Sequence, residues 1–194
     1  MSLEDRINSK KGKKRKRLLF RSAILVVLVG ATTFALISNF TRDKETYAEG
    51  DKAPDFKLSQ LNKANPEDAV QLSKLKEKGI MLNFWATYCP PCEREMPYIQ
   101  SMYDKYKDQG IAIVSVNLDS TELVVQNFID KYDLTFPVLR DKDMTVRDLY
   151  GIKPIPSSIF INPEGKIVRK VNGELDEDSL ESYLKEIQSG QGGN

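Results

Sequence analysis

The sequence predicts an α/β fold in which a central mixed β-sheet is flanked by helices. Two compact apolar runs, GIMLNFWA from Gly79 and IAIVSVNL from Ile111, are typical of buried strands. A segment with helical periodicity joins them, and a strand–helix–strand unit of this length gives parallel strands linked by a right-handed crossover. Two later strand-like runs separated by a turn predict an antiparallel hairpin. The full predicted order is β-β-β-α-β-α-β-β-α, which gives a mixed sheet covered by helices.

The folded domain is predicted to start near Asp51 with a small β-hairpin extension. Residues 53–58 and 70–72 alternate apolar and polar side chains, as two short strands do. The connector between them, NKANPEDA, is rich in turn-forming residues.

Two helices are predicted on either side of the second buried strand. The first begins at a cysteine pair and ends before Gly110, and the second runs from a cap at Thr121 to about Tyr132. The side chains predicted to face the core are Met96, Ile99, Met102, Tyr103 and Tyr106 in the first helix and Leu123, Val124, Phe128 and Ile129 in the second.

The C-terminal part of the chain completes the sheet and its helical cover. Residues 136–139 predict a short strand, and TVRDLYG predicts a short helix. The runs KPIPSSIFI and KIVRKVNG, joined by a turn at residues 162–165, predict the antiparallel hairpin. A last helix is predicted from Asp178 to Gln188, and its apolar face consists of Leu180, Tyr183, Leu184 and Ile187.

Charge is segregated between the N-terminus and the rest of the chain. Residues 1–21 hold nine Lys or Arg and two Asp or Glu, a net charge of +7, whereas residues 22–194 hold 20 basic and 26 acidic residues, a net charge of −6. The basic run KKGKKRKR leads into residues 22–40, which carry no charge. A helix over that uncharged stretch spans about 28 Å, close to the ~30 Å hydrocarbon core of a bilayer.

These features predict a single-pass membrane anchor with a cytoplasmic N-terminus, because basic residues precede the apolar run. A cleaved signal peptide is an alternative, since small-x-small sites end at Ala35 and Ala48. A nucleic-acid-binding tail is disfavoured because the basic run abuts an apolar span. The predicted parts of the chain are a basic cytoplasmic segment (1–17), a transmembrane anchor (18–40), a tether (41–50), an extracytoplasmic domain (51–189) and a disordered tail (190–194).

The chain has two cysteines and no histidine, and both cysteines lie in the stretch FWATYCPPCEREMP. A zinc site needs three or four protein ligands, so we expect no metal. Attachment of a c-type haem requires His after the second cysteine, where this chain has Glu93. A purely structural clip is disfavoured because so short a loop removes little entropy from the unfolded chain. We therefore interpret Cys89 and Cys92 as a redox-active pair that forms a reversible disulfide.

The spacing suggests a role for each cysteine. Cys89 lies where a strand ends and a helix begins, so unpaired backbone N–H groups and the positive end of the helix dipole stabilise its thiolate. It is the predicted nucleophile. Cys92, one turn further on, is predicted to attack the mixed disulfide on Cys89 and release the reduced substrate. Pro90 and Pro91 suit the first helical turn and stiffen the bridge between the thiols.

Glu95 lies three residues after Cys92 and on the same helix face. We hypothesise that it accepts or returns the Cys92 proton when the mixed disulfide is resolved. The alternative is that Glu93 and Glu95 only decorate a helix N-terminus, where carboxylates are stabilising. In both cases negative charge near the thiolate disfavours it, which tilts the pair towards acting as a reductant.

The run NFWATYCPPC from Asn83 to Cys92, with Pro97 five residues later and Ile155-Pro156 downstream, resembles the thioredoxin superfamily. More narrowly, it is similar to the ResA/TlpA-like branch of membrane-anchored thiol-disulfide oxidoreductases. The resemblance covers roughly residues 50–188 and the anchor, and it implies a thioredoxin-like fold.

The resemblance also implies how substrate is held. In this family the proline that matches Pro156 is cis and faces the first cysteine, and the backbone beside it, here at Ile155, hydrogen-bonds an extended substrate. Trp85 and Tyr88, which flank the motif loop, are expected to contribute to the same substrate-binding surface.

Three positions depart from the family patterns. Asn83 stands where cytosolic-type thioredoxins have a buried Asp, and Glu95 matches the acid that the ResA/TlpA-like branch uses instead. Pro90 replaces a Glu that often follows the first cysteine in that branch, and Tyr88 replaces a Trp. Substrate preference and redox potential are therefore not carried over.

The expected function is reduction of protein disulfides outside the cytoplasmic membrane, with the cysteine pair of apocytochrome c as the expected substrate. The chain has no G-x-G-x-x-G fingerprint, so we expect neither a bound cofactor nor electrons taken directly from NADPH. The resemblance implies a membrane thiol carrier of the CcdA type as the electron donor.

Other functions are compatible with the same residues. A thiol peroxidase of the peroxiredoxin type shares the fold, although Thr87 lies two rather than three residues before Cys89. Reduction of spore-envelope or other secreted proteins would use the same site. A non-catalytic binding module displayed on the membrane is the third alternative.

Overall fold

The structure is a computed structural model that describes residues 21–34, 47–62, 68–75 and 79–189. The chain divides into two compact units, Met1–Asp43 and Lys44–Asn194. The predicted basic segment, the ends of the predicted anchor and the predicted C-terminal tail lie outside the described residues.

The described part of the N-terminal unit is helical over residues 21–34 (α1), and its apolar side chains are exposed. The Thr33 hydroxyl donates to the Val29 carbonyl at 2.6 Å, so this polar group is satisfied within the helix itself. No helix among the described residues has the length and apolar character needed to cross a bilayer. Because the predicted anchor at 18–40 extends beyond the described stretch on both sides, it stays a prediction.

The second unit is built on a five-stranded mixed sheet. Its strands are β3 (Gly79–Trp85), β4 (Ile111–Asn117), β5 (Val138–Arg140), β6 (Ser157–Ile161) and β7 (Ile167–Asn172), and their order in the sheet is β5-β4-β3-β6-β7. The β3–β4 and β4–β5 pairs are parallel, while β3–β6 and β6–β7 are antiparallel. The predicted crossover and the predicted hairpin are both confirmed, and Gly165 takes a positive φ of 78° in the hairpin turn.

Helices cover the sheet on both faces. They are α2 (Pro90–Tyr106), α3 (Glu122–Tyr132), α4 (Thr145–Leu149) and α5 (Glu177–Ser189), with short 3-10 turns at Leu72–Lys74 and Lys107–Gln109. Alternation along β3 divides the core between the two faces. Met81 and Trp85 pack with α2, α3 and α5, whereas Leu82 and Phe84 pack with α4. Asn83 lies between Met81 and Trp85 in this alternation, and so its side chain is directed towards α2.

The predicted N-terminal hairpin is confirmed as β1 (Lys57–Ser59) paired antiparallel with β2 (Ala69–Gln71). The segment before it bonds to β7. Gly50 N–H donates to the Ile167 carbonyl at 2.7 Å, and Lys170 Nζ donates to the Tyr47 carbonyl at 2.8 Å. The last residues of the predicted tether are therefore in contact with the sheet.

Two expectations for α3 are wrong. Leu123 and Val124 were expected in the core, but they are 67% and 42% exposed. The buried stripe is Val125, Phe128 and Ile129. At roughly 100° per residue, Leu123 lies on the opposite side of the helix from this stripe and Val124 lies at its edge. In addition, Thr121 occupies the N-cap position without a side-chain hydrogen bond.

Candidate active site

Cys89 and Cys92 lie at the junction that the sequence predicted. β3 ends at Trp85, Cys89 is the N-cap residue of α2, and the two cysteines form a disulfide with their Cα atoms 5.3 Å apart. Cys89 is 6% exposed and Cys92 is 0% exposed. Only the predicted nucleophile of the pair thus reaches the surface, while the predicted resolving sulfur lies beneath it.

Proline placement directs a backbone donor at the first sulfur. Pro90 and Pro91 occupy the first helical turn and carry no N–H, so the first N–H of α2 belongs to Cys92. That N–H donates to Cys89 Sγ at 3.3 Å. When the disulfide is reduced, the same donor and the helix dipole favour the thiolate of Cys89 over its thiol.

The loop that carries the cysteines is anchored by Asp119, a residue that sequence reasoning missed. Its carboxylate accepts from the Thr87 N–H and from the Thr87 hydroxyl, each at 2.8 Å. Asn117 Nδ2 donates to the same carboxylate at 2.8 Å. Tyr88, next in the loop, is 68% exposed beside Cys89, which suits its predicted place on the substrate-binding surface.

Trp85 is the last residue of β3 and packs in the core just before the loop that carries the cysteines. Its ring is fully buried and lies 4.8 Å from the Phe128 ring, which in turn lies 4.6 Å from the Tyr132 ring. The indole offers no surface to a partner in this disulfide state. Its Nε1 has no hydrogen-bond partner among the described residues.

Glu95 is a carboxyl group enclosed by the protein. It is 0% exposed, Asn83 Nδ2 donates to its Oε1 at 2.7 Å, and the Leu175 N–H donates to its Oε2 at 3.2 Å. Burial raises the pKa of Glu95 to about 7, and the two donors oppose that rise only in part. A group with this pKa both accepts and returns a proton near neutral pH.

Asn83 links Glu95 to the neighbouring strand. Its Nδ2 also donates to Ser158 Oγ at 3.1 Å, across the antiparallel pair in which these two residues are direct partners. Its Oδ1 is buried and has no partner among the described residues. An amide at this position orients the carboxyl without adding a charge of its own.

The two acids at the start of α2 have different environments, which separates the two alternatives for them. Glu93 is partly exposed, its carboxylate accepts from the Tyr132 hydroxyl, and it pairs with Lys131 Nζ at 3.1 Å. These partners lower the pKa of Glu93, with the Tyr132 hydrogen bond as the larger cause. Glu93 therefore fits the role of a helix-terminal surface acid, and Glu95 does not.

The Ile155–Pro156 peptide bond is cis, as the family resemblance implies. The Pro156 carbonyl accepts from the Gly173 N–H at 2.8 Å, and the Pro154 carbonyl accepts from Ser157 Oγ at 2.8 Å. Ile155 lies between these two carbonyls and is partly exposed. Within the described residues, its own N–H and carbonyl have no backbone partner, so they are free to pair with an extended chain.

Several contacts of the site come from distant parts of the sequence. The Leu175 N–H, the Gly173 N–H and Ser158 all follow the cysteines by more than sixty residues. A backbone N–H donor cannot be recognised from the type of residue that carries it. Ser158 is one of two adjacent serines in a buried strand, so its role is not visible in the sequence either. In this segment the sequence indicates only a turn before the last helix, at Gly173.

Comparison with known proteins identifies the family. The AhpC/TSA family matches residues 49–170. A thiol-disulfide oxidoreductase ResA from Oceanobacillus iheyensis is 52% identical over 96% of this chain and 97% of its own length. The ResA of Bacillus subtilis strain 168 is 40% identical over 92% of this chain and 98% of its own length.

Solved structures agree with this assignment. StoA from Bacillus subtilis matches with a TM-score of 0.59 at 28% identity and covers 67% of this chain and 96% of its own. A Chlorobium tepidum protein assigned as the thiol:disulfide interchange protein DsbE matches with a TM-score of 0.67 at 32% identity, covering 73% and 99%. The thioredoxin-like fold expected from the motif is confirmed. The chain belongs to the AhpC/TSA family, as a thiol-disulfide oxidoreductase of the ResA type.

Proposed function

We propose that this enzyme acts as a reductant of protein disulfides on the extracytoplasmic side of the membrane, with the CxxC pair of apocytochrome c as its substrate. The observation that carries the direction of the reaction is the buried Glu95, three residues after Cys92 in α2, whose pKa burial raises to about 7. A carboxylate in this place disfavours a nearby thiolate. The reduced form is then less stable, which makes the dithiol a better electron donor.

The reaction proceeds through two exchanges. The Cys89 thiolate attacks one sulfur of the substrate disulfide, forming a Cys89–substrate bond while the other substrate sulfur leaves as a thiolate. Glu95 then takes the proton of Cys92, whose thiolate attacks Cys89 Sγ. The Cys89–Cys92 disulfide forms and the second substrate sulfur leaves. The substrate gains two electrons, and the enzyme ends in the disulfide state of this structure.

Substrate would be held beside Cys89 by backbone pairing at Ile155, next to the cis Pro156, and by contact with the exposed Tyr88 ring. An extended peptide supplies the complementary N–H and carbonyl groups, so recognition depends on an accessible segment around the substrate cysteines. Apocytochrome c offers such a segment before haem attachment.

The membrane location rests on the sequence. A basic segment precedes an uncharged stretch at residues 22–40, and the described helical part of that stretch exposes its apolar side chains. A membrane thiol carrier of the CcdA type is proposed as the donor that reduces the Cys89–Cys92 disulfide after each turnover.

Trapping in cells tests the proposal. In a full-length Cys92→Ser variant the second exchange is blocked, so we expect apocytochrome c to accumulate as a mixed disulfide with Cys89. The matched control is the Cys89→Ser, Cys92→Ser double variant, which should trap nothing. Capture of other secreted or spore-envelope proteins in place of apocytochrome c would contradict the proposed substrate but retain the chemistry.

A peroxidase reaction is the second use that this site permits. The Thr87 hydroxyl donates to Asp119, so in this structure that hydrogen is not directed at Cys89. We therefore expect negligible peroxide consumption beside rapid reduction of a CxxC peptide. Loss of both cysteines without any loss of phenotype would favour the non-catalytic binding module instead.

A further inference from the structure

Residues Gly173 to Asp176 join β7 to α5, and we call them the β7–α5 connector. They contact both the loop that contains the cis proline and the buried Glu95. Gly173 N–H donates to the Pro156 carbonyl at 2.8 Å, and Leu175 N–H donates to Glu95 Oε2 at 3.2 Å. Leu175 is itself 3% exposed. One short connector therefore contacts both the cis-proline loop and the buried carboxyl.

An ion pair fastens the β7–α5 connector to α2. Arg94 Nε donates to Glu174 Oε1 at 3.0 Å, and Arg94 Nη2 lies 2.5 Å from Glu174 Oε2. Two parallel bonds of this kind fix orientation as well as distance. Arg94 directly precedes Glu95, and Glu174 directly precedes Leu175. The ion pair is therefore next in sequence to both partners of the Glu95–Leu175 hydrogen bond.

The charges around the carboxyl are few. From β3 and β6 come the uncharged Asn83 and Ser158, and the negative charge of Glu174 adds to the rise in the pKa of Glu95. Arg94 partly neutralises that charge. The ionisable side chains nearest to Glu95 in sequence on α2 are Cys92, Glu93 and Arg94, and those of the connector are Glu174 and Asp176.

We propose that Arg94 and Glu174 are positioning residues whose ion pair holds the β7–α5 connector over Glu95, keeping water from the carboxyl and keeping it in place for the proton of Cys92. The attachment of the connector to α2 is argued from the observed ion pair and hydrogen bonds. Its role in proton transfer rests on the proposed function. A surface pair of this exposure contributes little to global stability, so its effect should be local.

Hydrogen exchange at one amide tests the fastening. In the oxidised full-length chain, Glu174→Gln and Arg94→Gln should each speed exchange of the Leu175 N–H by about tenfold, because local opening becomes easier. The control is Glu181→Gln, which breaks another ion pair between α2 and its neighbours, Lys105–Glu181 at 2.7 Å, and should leave Leu175 unchanged. Equal Leu175 exchange rates in wild type and all three variants would overturn the proposal.

Titration of the Glu95 side-chain carboxyl by ¹³C NMR separates an electrostatic role from a merely structural one. The oxidised chain is suitable because its cysteines do not titrate. Glu174→Gln removes a negative neighbour and admits water, so the midpoint should fall by about half a pH unit. Arg94→Gln admits water but keeps the negative neighbour, and its midpoint should lie above that of Glu174→Gln.

Arg94→Lys supplies a conservative rescue, because it keeps the charge and loses the two-bond geometry. Its Glu95 midpoint should return to the wild-type value, while Leu175 exchange is only partly restored. Identical Glu95 titration midpoints in Glu174→Gln and Arg94→Gln would mean that the charge of Glu174 does not act on Glu95. That result would overturn the electrostatic role given to this ion pair.

A separate experiment tests the proposed role of Glu95 in proton transfer, and its outcome is independent of the Leu175 exchange rates. Thionitrobenzoate attached to Cys89 is released by Cys92, and the pH profile of release should change in Glu95→Gln. An unchanged profile would remove Glu95 from proton transfer and so contradict the proposed function. The Leu175 exchange rates decide the fastening in either case.

Discussion

Two carboxyl groups, one near each end of α2, lie in opposite environments. At the N-terminal end, Glu95 is enclosed, receives two uncharged donors and has its pKa raised to about 7, chiefly by burial. At the C-terminal end, Glu181 of α5 accepts from Lys105, Tyr106 and Lys185. These partners, the Lys105 hydrogen bond foremost, lower the pKa of Glu181 to about 2.

The difference separates a functional contact from a structural one. A balanced surface carboxylate stabilises the fold slightly and stays charged throughout the physiological range. A buried carboxyl with no cationic partner in contact destabilises the fold whenever it is ionised. Such a cost persists where the group has a function, and Glu95 lies on α2 about one turn after Cys92, whose thiol must gain and lose a proton.

The largest contrast should come from one substitution near each end of α2. Cys89→Ser removes the nucleophilic sulfur, so reduction of a CxxC peptide should fall by about 10³-fold or more. Lys105→Gln at the other end should leave the rate within about twofold, since the Lys105–Glu181 pair is exposed. Steady-state assays on the full-length proteins measure both. A rate close to that of wild type in Cys89→Ser would contradict Cys89 as the attacking sulfur.

Glu95→Gln should change the pH dependence of stability. The folded carboxyl keeps its proton to about pH 7, whereas the unfolded one loses it near 4.5, so its stabilising contribution is complete below about pH 4.5 and is lost as pH rises to about 7. That loss is on the order of 3 kcal/mol, and the Gln variant should lack it. Denaturant unfolding of the oxidised protein across this pH range measures the slopes. Parallel slopes in the two proteins would contradict a raised pKa.

Gly79→Ala should lower stability without touching the chemistry. Gly79 begins β3, at the end of that strand remote from the cysteines, and a Cβ there would lie 2.9 Å from the Ile187 carbonyl oxygen of α5. Because backbone must move, we expect a loss of ~1–3 kcal/mol in the free energy of unfolding. Peptide-reduction rates of the folded protein should match wild type. A slower reaction would mean that α5 transmits strain to the site.

The smallest effect is expected for Glu181→Gln, with the opposite sign of pH dependence from Glu95. A lowered pKa means that the contribution of Glu181 is complete above its ordinary value near 4.5 and is lost as pH falls towards about 2. The variant should melt slightly below wild type at neutral pH, and the difference should vanish near pH 2. A difference in melting temperature that persists near pH 2 would indicate that the variant lost packing rather than charge interactions.

The sequence predicts those parts of this protein whose chemistry is written in residue type and spacing. Cys89, Cys92 and Glu95 share a helix start, and their identities alone narrow the reaction. The strand pattern likewise follows from apolar runs, although periodicity gives no strand order. Glu95 is hydrogen-bonded by Asn83, 12 residues away, and by the Leu175 backbone, 80 residues away, and the burial that raises its pKa likewise comes from distant parts of the fold. No local pattern marks such pairs.

The error at Leu123 has another origin. Apolar residues at the start of α3 suggested a core face, but a stripe only three residues wide is compatible with more than one rotational phase of the helix. Contacts with Trp85 select the phase that buries Phe128, and this choice depends on the folded sheet.

The segment ahead of β1 has a consequence for shortened forms of the protein. The Asp51 carbonyl accepts from the Ile167 N–H, and Ala53 N–H donates to the Gly165 carbonyl, each at 2.9 Å, so this segment covers the outer edge of the sheet where β7 begins. An uncovered edge strand is a template for pairing with another molecule. A soluble fragment that begins after Ala53 should therefore self-associate, whereas one that begins at or before Tyr47 should stay monodisperse.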